Sequence, residues 1–180
     1  MRITVSGLPG SGTTSLSRYL AQRTGFSMIS AGEVFRQLAK EHNVELAEFG
    51  RLAEEDPAFD KMIDARQKKI AEEQDNIIVE GRLSGWMVEN ADLKIWLYAP
   101  ISCRIKRIAF RDQVPDEATA KLLTLEREHC EAGRYLSYYS IDISDMSIYH
   151  LIINSEHWGV DGLGAIVDAA LAQLKPPASR

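Results

Sequence analysis

The sequence predicts an α/β fold, a parallel sheet with helices on both faces, and three observations carry that prediction. Short apolar runs near 2–6, 27–29, 76–80, 93–98 and 149–153 alternate with helical stretches near 13–24, 33–41, 57–73, 101–111, 116–137 and 160–174; strands that alternate with helices build parallel sheets. The run Ile77, Ile78, Val79 is apolar at consecutive positions rather than alternate ones, as expected of a central strand covered on both faces. Finally, an apolar strand with Ile3 and Val5 passes straight into a glycine-rich loop and then a helix bearing Leu16, Tyr19, Leu20 and Arg23, the strand–loop–helix order of a phosphate-binding unit.

The chain of 180 residues suits one domain, large enough to bury roughly 70% of the surface its unfolded form exposes. A composition of 45% hydrophobic and 26% charged residues is that of a globular protein. A net charge of −5 and a pI near 5.4 argue against a general binder of nucleic acid or anionic membranes. Any anion site must therefore be a local concentration of arginine. Cys103 and Cys130 lack metal-ligand spacing and read as thiols of a reducing compartment, with neither disulfide nor zinc expected. Residues 1–30 show no secretory apolar segment, and no apolar run approaches the roughly 20 residues that span a bilayer. The expectation is a soluble, cytoplasmic monomer.

The loop after the first strand meets the pattern G-x-x-x-x-G-K-[ST] at Gly7, Gly12 and Thr14, but its lysine position holds Thr13. Gly7, Leu8, Pro9, Gly10, Ser11, Gly12, Thr13, Thr14 and Ser15 are read as a cradle in which backbone N–H groups and the N-terminus of the next helix point at a polyphosphate. A nest of amides survives the loss of lysine. What is lost is a cation on the β- and γ-phosphates, and another positive group must replace it.

In a parallel sheet, ligands bind beyond the carboxyl ends of the strands, so the residues after each later strand matter most. After the second come Ser30, Gly32 and Arg36: Ser30 caps a helix, with Glu33 completing a capping box, and Arg36, one turn in, seats a second phosphate belonging to an acceptor. In the helix after Pro57, Asp60, Asp64 and Gln67 share a face and offer acceptors for the exocyclic amine of a base, although such faces are more often solvated, here with Asp64 paired to Lys68. After the third strand, Glu80 stands where an acid holds Mg²⁺, with Thr14 as a hydroxyl ligand. Gly81 lets a substrate approach the backbone, and Arg82 follows.

Beyond the fourth strand, Arg104, Arg107 and Arg111 share one helical face, and Arg127 and Arg134, seven apart, share another. Arginines on helices usually pair with neighbouring carboxylates such as Glu126 or Glu131. In an acidic chain, however, this run of guanidinium groups is the natural substitute for the missing lysine, because each binds phosphate bidentately. Residues 31–74 and 101–140 read as two helical excursions from the core, able to close as lids. Trp86, Trp96 and Trp158 read as core or interface aromatics, and the four histidines share no spacing that suggests a metal site.

Taken together, the blocks Gly7–Thr14, Ala31–Arg36, Glu80–Met87, Ala91–Trp96 and Ile141–Tyr149 resemble a P-loop nucleoside monophosphate kinase, most closely the archaeal-type cytidylate kinases. The resemblance covers nearly the whole chain. It implies a three-layer P-loop NTPase fold with a five-stranded parallel sheet. The core would be about 1–30, 75–100 and 141–175, with a nucleotide-monophosphate-binding segment at about 31–74 and a lid at about 101–140. By the same resemblance, Gly7 to Thr14 take the donor triphosphate and Arg36 and Arg82 the acceptor phosphate. Arg104, Arg107, Arg127 and Arg134 close on the transferring group. The implied reaction is phosphoryl transfer from ATP to CMP or dCMP with Mg²⁺. The lysine of bacterial cytidylate and adenylate kinases is absent, and the archaeal-type pattern also has threonine there. Adenylate or another nucleotide specificity, a nucleotide-binding regulatory module and a small-metabolite kinase remain as alternatives.

Overall fold

A computed structural model describes residues 1–44, 49, 52 and 56–174, the side chains of Pro57 and Asp60 excepted. The elements are β1 (Arg2–Gly7), α1 (Thr13–Thr24), β2 (Ser27–Ser30), α2 (Ala31–Glu41), α3 (Pro57–Glu73), β3 (Ile77–Glu80), α4 (Ser84–Met87), β4 (Leu93–Tyr98), α5 (Ile101–Asp112), α6 (Glu117–Tyr139), β5 (Leu151–Asn154) and α7 (Val160–Ala172). The five strands form one parallel sheet in the order β2-β3-β1-β4-β5.

The sheet is covered on both faces. Ile3, Val5, Ile78, Leu93, Ile95 and Leu97 point to one side and pack on Leu16 and Leu20 of α1 and Leu163 and Val167 of α7. Ile77 and Val79 point to the other, against Ala71 of α3 with Val88 and Ala91. Consecutive residues of β3 thus enter opposite cores, which explains its unbroken apolar run. Val34, Leu38 and Ala39 of α2 join Phe49 and Ile63 in a separate cluster. A fourth cluster, Leu83, Tyr135 and Ile141, ties α6 to the turn after β3.

β1 lies between β3 and β4, and the chain leaves it in opposite directions, so the crevice at its carboxyl end is the expected ligand site. In register, Val5 pairs with Glu80 and Glu80 with Ser30. The glycine-rich loop, the Glu80 turn and the Ser30 turn therefore leave the sheet side by side, on strands about 4.8 Å apart.

Several boundaries differ from the sequence expectation. α2 begins at Ala31, earlier than expected, because Ser30 Oγ accepts the Glu33 amide at 3.0 Å and the helix starts at once. β5 begins at Leu151 rather than near 149: Tyr149 instead closes a turn onto the Met146 carbonyl and packs its ring 5.2 Å from that of Trp96. α4, four residues long, is too short to show a period.

Candidate active site

Two residues of the glycine-rich loop take left-handed backbone conformations, Gly10 at φ 79° and Gly12 at φ 98°, which residues with a Cβ rarely adopt. Gly12 is the N-cap of α1 and offers no capping side chain. The first-turn amides of Thr13, Thr14 and Ser15 are therefore free of a side-chain cap, and a helix N-terminus of this kind attracts phosphate. Ser11 Oγ is buried without a hydrogen-bond partner inside the loop. A Cβ on Gly7 would stand 2.5 Å from that hydroxyl, so glycine is what lets the loop close on itself. A loop with uncapped amides and an unpartnered hydroxyl fits a polyphosphate.

Glu80 ends β3 directly beneath this loop. Thr13 Oγ1 donates to Glu80 Oε1 at 2.7 Å and Thr14 Oγ1 at 3.4 Å. The residue in the lysine position is thus turned inward onto the acid. A carboxylate with an adjacent hydroxyl is a hard-oxygen donor set suited to Mg²⁺. Among the described residues there is no group of three or more His, Cys, Asp or Glu able to cage a metal, in keeping with an ion that would take most of its ligands from substrate phosphates and water.

Three arginines converge on the loop's carbonyl side. Arg82 Nη1 donates to Gly7 O at 3.3 Å, and its Nε donates to Glu131 Oε2 at 2.9 Å. Arg104 is buried and donates to Ala99 O at 3.0 Å, to Pro9 O at 3.1 Å and to Glu128. Arg107 Nη1 donates to Gly10 O at 3.2 Å and to Ser155 Oγ at 3.0 Å, while Nη2 donates to Ser155 O at 2.9 Å. Burial pushes the Arg82 pKa down, but the Glu131 carboxylate together with Tyr135 and Glu80 outweighs it and holds the group above its ordinary value. Burial likewise pushes Glu131 up, yet Arg82 and Arg127 hold it below the usual carboxylate range.

The other predicted residues fall into two groups. Ser30, Gly32 and Arg36 gather at the start of α2: a Cβ on Gly32 would lie 3.5 Å from Arg36 Nη1 and 3.9 Å from Ser30 Oγ. Gly81 adjoins them, 3.1 Å from the Ala31 Cβ by the same measure. Arg127, Arg134 and Asp64 are engaged further out. Arg127 Nε donates to Glu131 Oε1 at 2.7 Å, from a largely exposed side chain. Arg134 lines a shallow groove with His129, Cys130, Ser137 and Tyr138. Asp64 accepts from Tyr139 Oη at 2.8 Å, and the Asp60 side chain lies outside the described residues. Arg111 pairs with its neighbour Asp112 at 2.6 Å.

Sequence reasoning marked the stretch Asn154–Trp158 after the last strand without singling out Ser155, and it did not reach Glu128. Ser155 Oγ donates to Ser11 O at 2.6 Å and links the loop to the residue after β5. Its position just past the last strand was the available signal. Glu128 and Glu131 are three apart on one face of α6, so each reaches a different core arginine.

The chain matches the model of the cytidylate kinase-like family over residues 2–157. It belongs to that family. The cytidylate kinase of Methanoregula boonei is 81% identical over 97% of this chain and 96% of the relative. That of Methanosphaerula palustris is 64% identical over 97% and 99%. Among solved structures, shikimate kinase from Bacteroides thetaiotaomicron has a TM-score of 0.67 at 12% identity, covering 96% of this chain and 98% of that one. At that identity the likeness shows the fold alone.

Proposed function

We propose that the protein transfers the γ-phosphoryl group of ATP to CMP, or to dCMP, giving ADP and the corresponding diphosphate. One observation carries the reading. Two anion-accepting turns, the uncapped loop after β1 and the Ser30–Arg36 turn after β2, flank Glu80-Gly81-Arg82 on neighbouring strands. The first suits a triphosphate and the second a monophosphate, and two strand spacings, about 10 Å, separate them. Membership in the cytidylate kinase-like family, with relatives of the same length named cytidylate kinase, supports the acceptor's identity.

In the proposed reaction an oxygen of the acceptor phosphate attacks the γ-phosphorus in line, and the bond from that phosphorus to the β–γ bridging oxygen breaks. The acceptor is already anionic, so no strong general base is needed. The loop amides cradle the donor, and Arg82 and Arg107 supply the positive charge that a lysine gives elsewhere. Arg36, with Ser30 and Gly32, holds the acceptor phosphate. Arg104 acts on the loop's shape through the Pro9 carbonyl. Arg127 and Arg134 lie on α6 and reach the transferring group as residues 101–140 close over it, while 31–74 closes over the acceptor and both exclude water. Thr14 and Glu80 would hold Mg²⁺, which neutralises charge on the β- and γ-phosphates.

Steady-state transfer from Mg-ATP to CMP, dCMP, UMP, AMP and GMP, with a no-acceptor control, tests this. Turnover concentrated on CMP and dCMP is expected. Turnover on AMP overturns the specificity, and ATP binding without transfer to any nucleotide overturns the kinase reading.

A further inference from the structure

Lys94 is the second residue of β4, a strand that runs between β1 and β5. Its neighbours Leu93 and Ile95 enter the core beneath α1 and α7, so Lys94 points to the opposite face of the sheet. There it borders a cavity of about 460 Å³, within the range of small-molecule sites. Trp86 of α4, Tyr139 of α6, and Ile141 and Ile148 beyond it give that cavity apolar walls. Neither the glycine-rich loop, nor the Ser30–Arg36 turn, nor Glu80–Arg82 lines it, so it is separate from the site described above. Lys94 has 8% of its surface exposed, and its ammonium forms no ion pair or hydrogen bond with another described residue. Lysine is almost never buried unless paired, and one that merely ran its stem to the surface would keep its head in water. Burial pushes the ammonium below its ordinary value, with Glu89 opposing the shift.

We infer that this cavity binds a small aromatic monocarboxylate, with its carboxylate on Lys94 and its ring against Trp86 and Tyr139. Charge sets the class. The charged lining residues are Lys68, Lys94 and Glu89, two cations against one anion, which leaves a single positive charge for the ligand to match. Lys68 is exposed and has no ion pair among the described residues, although its spacing from Asp64 suggests one. A nucleoside polyphosphate brings several negative charges to that one, and Glu89 repels it. A neutral apolar molecule would leave the Lys94 ammonium buried and unpaired, a costly arrangement. A carboxylate answers it with a charge-assisted hydrogen bond. The indole and phenol rings favour a flat ring, through offset or edge-to-face contact. The inference does not depend on which nucleotide accepts the phosphoryl group.

The probes are 2-naphthoate and its neutral amide, 2-naphthamide, titrated by calorimetry into wild type and into Lys94→Met, which keeps an unbranched chain and removes the charge. Wild type is expected to bind one equivalent of the acid about tenfold or more tightly than the amide, and Lys94→Met is expected to lose that preference. No binding of the acid by wild type, or equal binding of acid and amide, overturns the inference, and this comparison decides the matter even if Lys94→Met does not fold. Undiminished acid binding by Lys94→Met overturns it as well. A further titration is made with CMP at saturation. Acid binding that persists supports a separate site, whereas full displacement puts the probe in the acceptor site and overturns the proposal.

Discussion

Thr13 Oγ1 donates a 2.7 Å hydrogen bond to the Glu80 carboxylate, from the loop position where lysine is usual. This threonine is buried and orients the acid proposed to hold Mg²⁺. Thr13→Val keeps the shape and removes the donor, leaving Glu80 with Thr14 at 3.4 Å. We expect the Mg²⁺ concentration for half-maximal transfer to rise several-fold, in line with the roughly 1 kcal/mol of one hydrogen bond. Thr13→Lys should not raise activity, because its ammonium would meet the same carboxylate. A Mg²⁺ titration of transfer rate checks both, and a large gain in Thr13→Lys would argue against the arginine substitution for lysine.

Glu131 joins Arg82 to Arg127 across the gap between the β3 turn and α6. Its carboxyl is held below its ordinary 4.5 despite burial. A depressed carboxylate contributes stability that is full above its unfolded value and is lost as pH falls through that value toward the lower folded one. Glu131→Gln should destabilise the protein at neutral pH by roughly 3 kcal/mol, the scale for removing one partner of a buried pair. It should also show a shallower loss of stability than wild type below about pH 4.5. Asp112, Asp116, Asp142 and Asp145 are held low as well, so the difference between the two denaturation series is the quantity to read. Parallel curves would mean that Glu131 does not carry the coupling.

The layered fold was legible because period and order are local properties. The helix predicted at 13–24 is α1, and Ser30 caps α2 as its sequence suggests, although that helix starts at Ala31 rather than near 33. The loop and Glu80 were legible because glycine spacing and an acid at a strand end are themselves local. The arginines' partners were not. Arg104 meets Pro9 across 95 positions, and Ser155 meets Ser11 across 144, so those bonds depend on strand order, which periodicity does not encode. Gln67 stands in the sequence beside Asp60 and Asp64 on a face that offers acceptors to a base, and its burial against the Glu80 carbonyl is a contact that the helical period does not encode.

Gly164 of α7 packs on α1 so closely that an added Cβ would lie 2.0 Å from Tyr19 Cε1. Alanine is favoured over glycine in a helix by about 1 kcal/mol, so a gain in stability is the naive expectation for Gly164→Ala. The overlap reverses the sign, and we expect a net loss of about 1–3 kcal/mol, typical of overpacking. Tyr19→Leu in the same background should recover part of it. Thermal unfolding of the two variants checks the sign, while transfer rates of the folded proteins should stay close to wild type because neither residue approaches the loop.

Arg107 spans the loop carbonyl of Gly10 and the Ser155 pair beyond β5, so its guanidinium is fixed before any substrate arrives. Charge that is pre-positioned stabilises a transferring phosphoryl group without reorganising during the reaction. Arg107→Ala should therefore lower kcat by about 100-fold or more and also weaken ATP, because only the Ser155–Ser11 bond then ties the loop to the residue after β5. Arg107→Lys should recover little, since one ammonium cannot serve Gly10 and both Ser155 oxygens. Arg134→Ala should differ: its groove is lined by residues of α6 and by none of the loop, and a residue that acts only on closure lowers kcat while leaving the ATP dissociation constant near wild type. Calorimetric ATP binding beside steady-state kinetics separates the two, and an unchanged kcat in Arg134→Ala would remove α6 from the proposed lid.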